Sequence, residues 1–190
     1  MIYSFGNKIS YNYTLLRPED YDKLQVFSCG NTKLDSYFHN ELITNNTVNT
    51  DDGLTYKVYN SDTGDIIGIV SLAASGIIHH QDNYIRLLPG VKIDVFAIDL
   101  HYQKIHYDEE SKNSTNPDDH YYFSDDIMGT FINLIRNISD SQLLVSFILL
   151  YADINAYRFY ERNGFLNFES FMEKEQNMEI NKNIPMYMQL

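Results

Sequence analysis

Two nearly continuous apolar runs constrain this chain most: Val-Lys-Ile-Asp-Val-Phe-Ala-Ile-Asp-Leu at 91–100 and Leu-Leu-Val-Ser-Phe-Ile-Leu-Leu-Tyr at 143–151. Runs of this length and β-branched content read as strands buried on both faces, and the partly alternating start of the first suits a strand entering the middle of a sheet. Between them Ile127, Met128, Phe131, Leu134, Ile135 and Ile138 share one helical face. Ser124 stands at the N-cap position of that helix, 124–138, with Asp125 and Asp126 in the first turn, where the helix dipole favours negative charge. A strand–helix–strand unit of this kind, 91–151, is expected to be parallel and right-handed. It sets the fold class as α/β (α+β), a mixed central sheet flanked by helices.

The remaining elements fit around that unit. Residues 11–16 are β-formers ending at Arg17-Pro18, and Pro18 opens a helix through Glu19, Asp20 and Leu24. Leu34, Tyr37, Phe38 and Leu42 lie on one face of a second helix, with Thr32 as N-cap and Asp35 reaching back. Residues 54–59 and 66–73, separated by Asn60-Ser61-Asp62-Thr63-Gly64, read as an antiparallel hairpin. A short helix at 155–163 is closed by Gly164, and 184–190 is a last strand. The polar, acidic stretch 103–123 lacks periodicity and reads as an exposed insertion or a mobile loop. No internal repeat is present, and 190 residues with 44% hydrophobic content suit one domain with a substantial core.

Composition narrows the function classes. With 14 Lys+Arg against 26 Asp+Glu, the net charge of -12 argues against nucleic acid, whose binding needs cations to neutralise phosphates. An acidic field favours a cationic partner instead: a polyamine, a basic antibiotic or a Lys-rich peptide. The single cysteine, Cys29, precludes an internal disulfide, and the N-terminus lacks a basic segment followed by an apolar run, so a cytoplasmic location is expected. The apolar stretches 66–78 and 143–152 fall short of the ~18–20 residues a membrane helix needs. The histidines His79, His80, His101, His106 and His120 lack metal-ligand spacing, so no metal is expected.

Several segments carry a resemblance. Ala152-Asp153-Ile154-Asn155-Ala156-Tyr157-Arg158-Phe159-Tyr160-Glu161-Arg162-Asn163-Gly164-Phe165 resembles the C-terminal signature of the GNAT superfamily of acyl-CoA-dependent N-acetyltransferases. Val95-Phe96-Ala97-Ile98-Asp99 with Tyr102-Gln103 is similar to that family's central strand and the start of its cofactor loop. Ile184-Pro185-Met186-Tyr187-Met188-Gln189-Leu190 resembles its last strand. Phe27-Ser28-Cys29-Gly30-Asn31-Thr32-Lys33-Leu34-Asp35 matches an N-terminal pattern of one branch, which includes acetyltransferase toxins acting on charged transfer RNA. The acidic charge argues against that acceptor here.

The resemblance implies a single GNAT-like domain over 1–190 with an acidic insertion at about 104–123, splayed central parallel strands and acetyl-CoA as acyl donor. Backbone groups of Phe96, Ala97 and Ile98 would bond the pantetheine, Gln103, Lys104, Ser124 and Asp125 would line the pyrophosphate end, and Asn155 and Phe159 would hold the cofactor further. Tyr160 would protonate the departing thiolate, and the acceptor would be an amine of a small molecule, peptide or protein. A homodimer is compatible with the resemblance. The pyrophosphate loop departs from the family pattern: Gln103-Lys104-Ile105-His106 has no glycine, and Asp125 and Asp126 stand where phosphate is expected. Either Lys104, Lys112 or the loop backbone compensates, or the fold serves as a non-catalytic binding module. Asp94, Asp99 and His101 stay open as general bases, and Cys29 reads as structural because no histidine partners it in sequence.

Overall fold

The structure, a computed structural model, describes residues 3–4, 9–42, 53–81, 84–116, 119–169 and 182–190. Its strands are β1 (Tyr3–Ser4), β2 (Ser10–Leu15), β3 (Leu54–Asn60), β4 (Ile66–Gln81), β5 (Tyr84–Ile98), β6 (Phe147–Ala152), β7 (Leu166–Asn167) and β8 (Ile184–Gln189). The helices are α1 (Tyr21–Leu24), α2 (Thr32–Ser36), α3 (Glu109–Asn113), α4 (Phe123–Ser141) and α5 (Tyr157–Arg162). The strands hydrogen-bond in the order β1-β2-β3-β4-β5-β6-β8-β7. The fold class is α/β with a mixed sheet, as the sequence indicates. The chain forms two compact units, Met1–Leu72 with Val95–Asp126 and Ala73–Asp94 with Ile127–Leu190.

In the first unit, β2, β3 and β4 pair antiparallel, with Tyr13 opposite Val58 and Tyr56 opposite Val70. Leu16, Leu24, Phe27, Phe38, Leu42, Ile66, Ile69 and Ala97 form its core. Pro18 opens a 3-10 turn, Pro18–Asp20, that runs into α1, and the buried Asp20 carboxylate accepts the Arg17 amide at 3.0 Å and pairs with Lys57. The second helix is capped by Asn31, not Thr32: the Asn31 side chain accepts from the Lys33 and Leu34 amides at 3.1 and 3.3 Å. Thr32 is therefore the first helical residue. The chain then widens into a π turn, Tyr37–Glu41, which keeps Phe38 and Leu42 in the core.

The described residues of the stretch read as an exposed insertion or mobile loop make bonds among themselves. Asp108 caps α3 by accepting the Ser111 amide at 2.7 Å, and His106 and Tyr122 form an antiparallel bridge that closes the excursion. The Tyr107 amide donates to the Tyr121 carbonyl and the Phe123 amide to that of Ile105, both at 2.8 Å. Helix α4 begins at Phe123, so Ser124 lies inside the helix and not at its cap. The first turn is instead closed by Asp125, whose carboxylate accepts the Tyr122 amide at 2.7 Å.

In the second unit β5 and β6 run parallel, Gly90–Ile93 against Phe147–Leu150, and β6 pairs antiparallel with β8. Ile127, Met128, Phe131 and Ile135 are buried, as their spacing predicts. The strand expected at 143–151 starts only at Phe147, with Leu143 and Leu144 65% and 77% exposed. The Gln142 and Leu143 amides both donate to the Ile138 carbonyl, so the end of α4 winds past the start of the apolar run. Strands β4 and β5 are longer than expected and take in most of 75–90. Gly164, at φ +88°, ends the turn after α5 in the left-handed conformation. No described helix is long and apolar enough to cross a membrane.

Candidate functional site

In the first unit the residues at the end of β5 meet the turn before α2. Ala97 and Ile98 are buried, and the Asp99 amide donates to the Ile67 carbonyl at 2.8 Å. The buried Asp99 carboxylate accepts the Ser28 amide at 3.2 Å and the His101 amide at 2.9 Å, and lies 2.7 Å from His101 Nδ1. The His101 ring itself is 89% exposed. Gln103 Nε2 donates to the carbonyls of Ile98 and Cys29, each at 2.8 Å. Lys104 is exposed.

The two acids at the start of α4 turn inward. Asp125 is 1% exposed and bonded to the Tyr122 amide. Asp126 accepts the Tyr11 hydroxyl at 2.6 Å; burial pushes its carboxyl up, against the opposing pull of that bond. Their carboxylates thus engage the protein's own donors, the Tyr122 amide and the Tyr11 hydroxyl.

Burial, above all, pushes the Cys29 thiol up to about 11, with the Asp35 charge adding to it. A thiol so placed stays protonated near neutrality and is no nucleophile. Asp35 holds the turn through Cys29 N at 2.8 Å, Ser28 Oγ at 2.8 Å and Cys29 Sγ at 3.2 Å. The N-terminal segment Phe27–Asp35 is therefore one bonded turn, with Phe27 in the core and Gly30 at φ +80°.

In the second unit, Asn155, Phe159 and Tyr160 follow β6. Asp153 Oδ1 accepts both the backbone amide and the side-chain amide of Asn155, at 2.8 and 3.0 Å, shaping the turn Ile154–Ala156 that leads into α5. Tyr160 is buried, with ring centroids 5.2 Å from Phe159 and 5.9 Å from Phe165. Burial and then the Asp153 charge push its phenol up to about 12. On β5, Asp94 pairs with Lys92 at 2.7 Å.

Sequence reasoning missed the partners of Gln103 and Asp99, since Cys29 and Ser28 lie more than seventy positions away. It also missed Tyr11 beneath Asp126, for which the sequence carries no signal. A cavity of about 850 Å³ lies in the insertion, lined in part by Asp108, Glu109, Glu110 and Asp119. Those carboxylates disfavour an anionic cofactor there. Among the described residues no group of three or more His, Cys, Asp or Glu is placed to hold a metal ion.

No family model matches the chain, and no curated protein matches it. Solved structures do. A bacterial toxin is 18% identical with a TM-score of 0.67 over 94% of this chain and 90% of that one. AtaTR bound with AcCoA is 16% identical with a TM-score of 0.68 over 94% and 93%. The PaiA N-acetyltransferase from Thermoplasma acidophilum in complex with coenzyme A is 12% identical with a TM-score of 0.57 over 96% and 100%. The fold is the GNAT fold. The GNAT likeness extends over nearly the whole chain; at these identities it establishes architecture alone.

Proposed function

We propose that this chain is a single GNAT-type N-acetyltransferase domain that moves an acetyl group from acetyl-CoA to a primary amine. One observation carries the reading: a buried tyrosine, Tyr160, held protonated on the helix after β6, in a fold shared with proteins crystallised with acetyl-CoA or coenzyme A. The net charge of -12 suits a cationic acceptor and disfavours nucleic acid.

In this reading the backbone of Phe96, Ala97 and Ile98 and the first turn of α4, around Ser124 and Asp125, hold the donor, with Asn155 and Phe159 assisting. The helix dipole favours an anion at the start of α4, where the Phe123, Asp125 and Asp126 amides already donate to the Ile105 and Tyr122 carbonyls. The amine nitrogen attacks the thioester carbonyl carbon, the C–N bond forms, the C–S bond breaks, and the surplus amine proton passes to solvent. Tyr160 donates a hydrogen bond to the departing sulfur and, as general acid, a proton that the phenolate regains from solvent. With the phenol at about 12 and a thiol near 8.5 that transfer is uphill, so the hydrogen bond to the developing negative charge carries the stabilisation, and the proton released by the amine balances the one taken up by the thiolate.

Calorimetric titration with acetyl-CoA, and separately with coenzyme A, tests the reading. Micromolar binding of both is expected. No binding at millimolar ligand overturns it and leaves a non-catalytic GNAT-fold binding module.

A further inference from the structure

The loop Asp99-Leu100-His101-Tyr102-Gln103-Lys104 contains no glycine, so its backbone lacks the conformational freedom of a glycine-rich anion loop. A loop that cannot adapt around a ligand must be held in shape beforehand. The holding group is the turn before α2. The Leu100 amide donates to the Ser28 carbonyl at 2.9 Å, the Ser28 amide to Asp99 Oδ2 at 3.2 Å, and Gln103 Nε2 to the Cys29 carbonyl at 2.8 Å. The same Nε2 donates to the Ile98 carbonyl at 2.8 Å, joining the strand end, the loop and the turn through one amide group.

That turn is a firm abutment. Asp35 ties down the Cys29 amide and the Ser28 hydroxyl, each at 2.8 Å. Phe27 sits in the core edge-on to Phe38, ring centroids 5.5 Å apart, and its carbonyl lies 2.8 Å from His39 Nε2. Gly30 closes against Leu100: a Cβ there would stand 2.8 Å from Leu100 Cδ2.

We infer that Gln103 is a positioning residue, which braces the glycine-free loop after β5 against the Ser28-Cys29-Gly30 turn and so sets acyl-donor affinity without touching the donor. Both partners of its amide nitrogen are carbonyl oxygens, which only accept, so the nitrogen must face them. Both of its protons are thereby engaged, and the oxygen that remains is an acceptor, unsuited to a phosphate. The inference rests on the proposed function for the identity of the ligand; the brace itself is independent of it.

The test uses the full chain carrying Gln103→Leu, which keeps bulk and removes both donors, in calorimetry with acetyl-CoA, steady-state kinetics and amide hydrogen exchange of the ligand-free protein. Expected are a rise in acetyl-CoA Kd and KM of about tenfold, kcat within about threefold, and faster exchange at the Leu100 and Tyr102 amides. An unchanged Kd overturns the inference. So does a weaker Kd with unchanged exchange in the free protein, which would make Gln103 a direct ligand. Failure of the wild-type chain to bind acetyl-CoA overturns the proposed function instead, and the exchange comparison still decides whether the brace exists. Ser28→Ala, which loosens the same turn from the Asp35 side, is expected to shift Kd and exchange in the same direction by less, and stands in should Gln103→Leu not fold.

Discussion

The Asp35 carboxylate accepts the Cys29 amide at 2.8 Å and the Cys29 thiol at 3.2 Å, so a residue inside α2 closes the turn that precedes its own helix. Burial alone would raise this carboxyl, but the bonds from Cys29, Ser28 and Gly30 outweigh it and hold the group below the usual carboxylate range. A lowered folded value means that the stabilisation is present above the unfolded value, about 3.9, and is lost as pH falls through the folded one. Asp35→Asn is expected to cost about 1 kcal/mol at pH 7, a modest figure for a partly exposed site. Urea unfolding at pH 7 and again below the unfolded carboxylate value checks it: the difference between variant and wild type should shrink in acid.

Asp126 behaves in the opposite sense. Burial raises its carboxyl despite the Tyr11 hydroxyl at 2.6 Å. The folded state then holds the proton more tightly than the unfolded state, so stability is full below the unfolded value and declines as pH rises through the folded one. Asparagine removes the buried charge and keeps an acceptor for Tyr11. Thermal melts should show Asp126→Asn more stable than wild type at pH 7, with the advantage vanishing in acid.

The contrast between these two acids shows what a sequence of this kind reveals. The strand–helix–strand unit is legible because Ile127, Met128, Phe131 and Ile135 repeat at helical spacing and are all buried. Burial periodicity is a local signal. The N-cap is less legible: Asn31 and Thr32 are both good capping residues, and the choice falls to Asn31 because Gly30 at φ +80° delivers it in the extended conformation. The start of β6 is hidden because Leu143 and Leu144 look like strand residues until the end of α4 claims the Leu143 amide. Gln103 on Cys29 and Tyr11 on Asp126 are set by the topology alone, across sequence separations of 74 and 115.

Gly30 offers a direct test of the turn. Its φ of +80° lies in the region that side chains avoid, and an added Cβ would stand 2.8 Å from Leu100 Cδ2. Gly30→Ala is expected to lose about 1–2 kcal/mol from the backbone conformation alone. Combining it with Leu100→Ala relieves the side-chain collision but not the backbone cost, so urea midpoints of the single and double variants separate the two contributions. A Gly30→Ala protein as stable as wild type would contradict this account.

Tyr160→Phe is the decisive substitution for the proposed chemistry. Phenylalanine preserves the ring contacts with Phe159 and Phe165 and removes only the hydroxyl, so the melting temperature and the acetyl-CoA Kd should stay close to wild type. Turnover is expected to fall about 100-fold, the usual scale for losing a positioned acid. Because burial and the Asp153 charge hold the phenol at about 12, it stays protonated across the neutral and moderately alkaline range. The wild-type rate should therefore show no alkaline decline assignable to Tyr160 there. Neutralising the neighbouring charge with Asp153→Asn should lower the phenol value, since that carboxylate raises it, and NMR titration of labelled tyrosine reads the shift directly. A Tyr160→Phe enzyme with undiminished kcat would remove Tyr160 from the reaction while leaving donor binding as an independent finding.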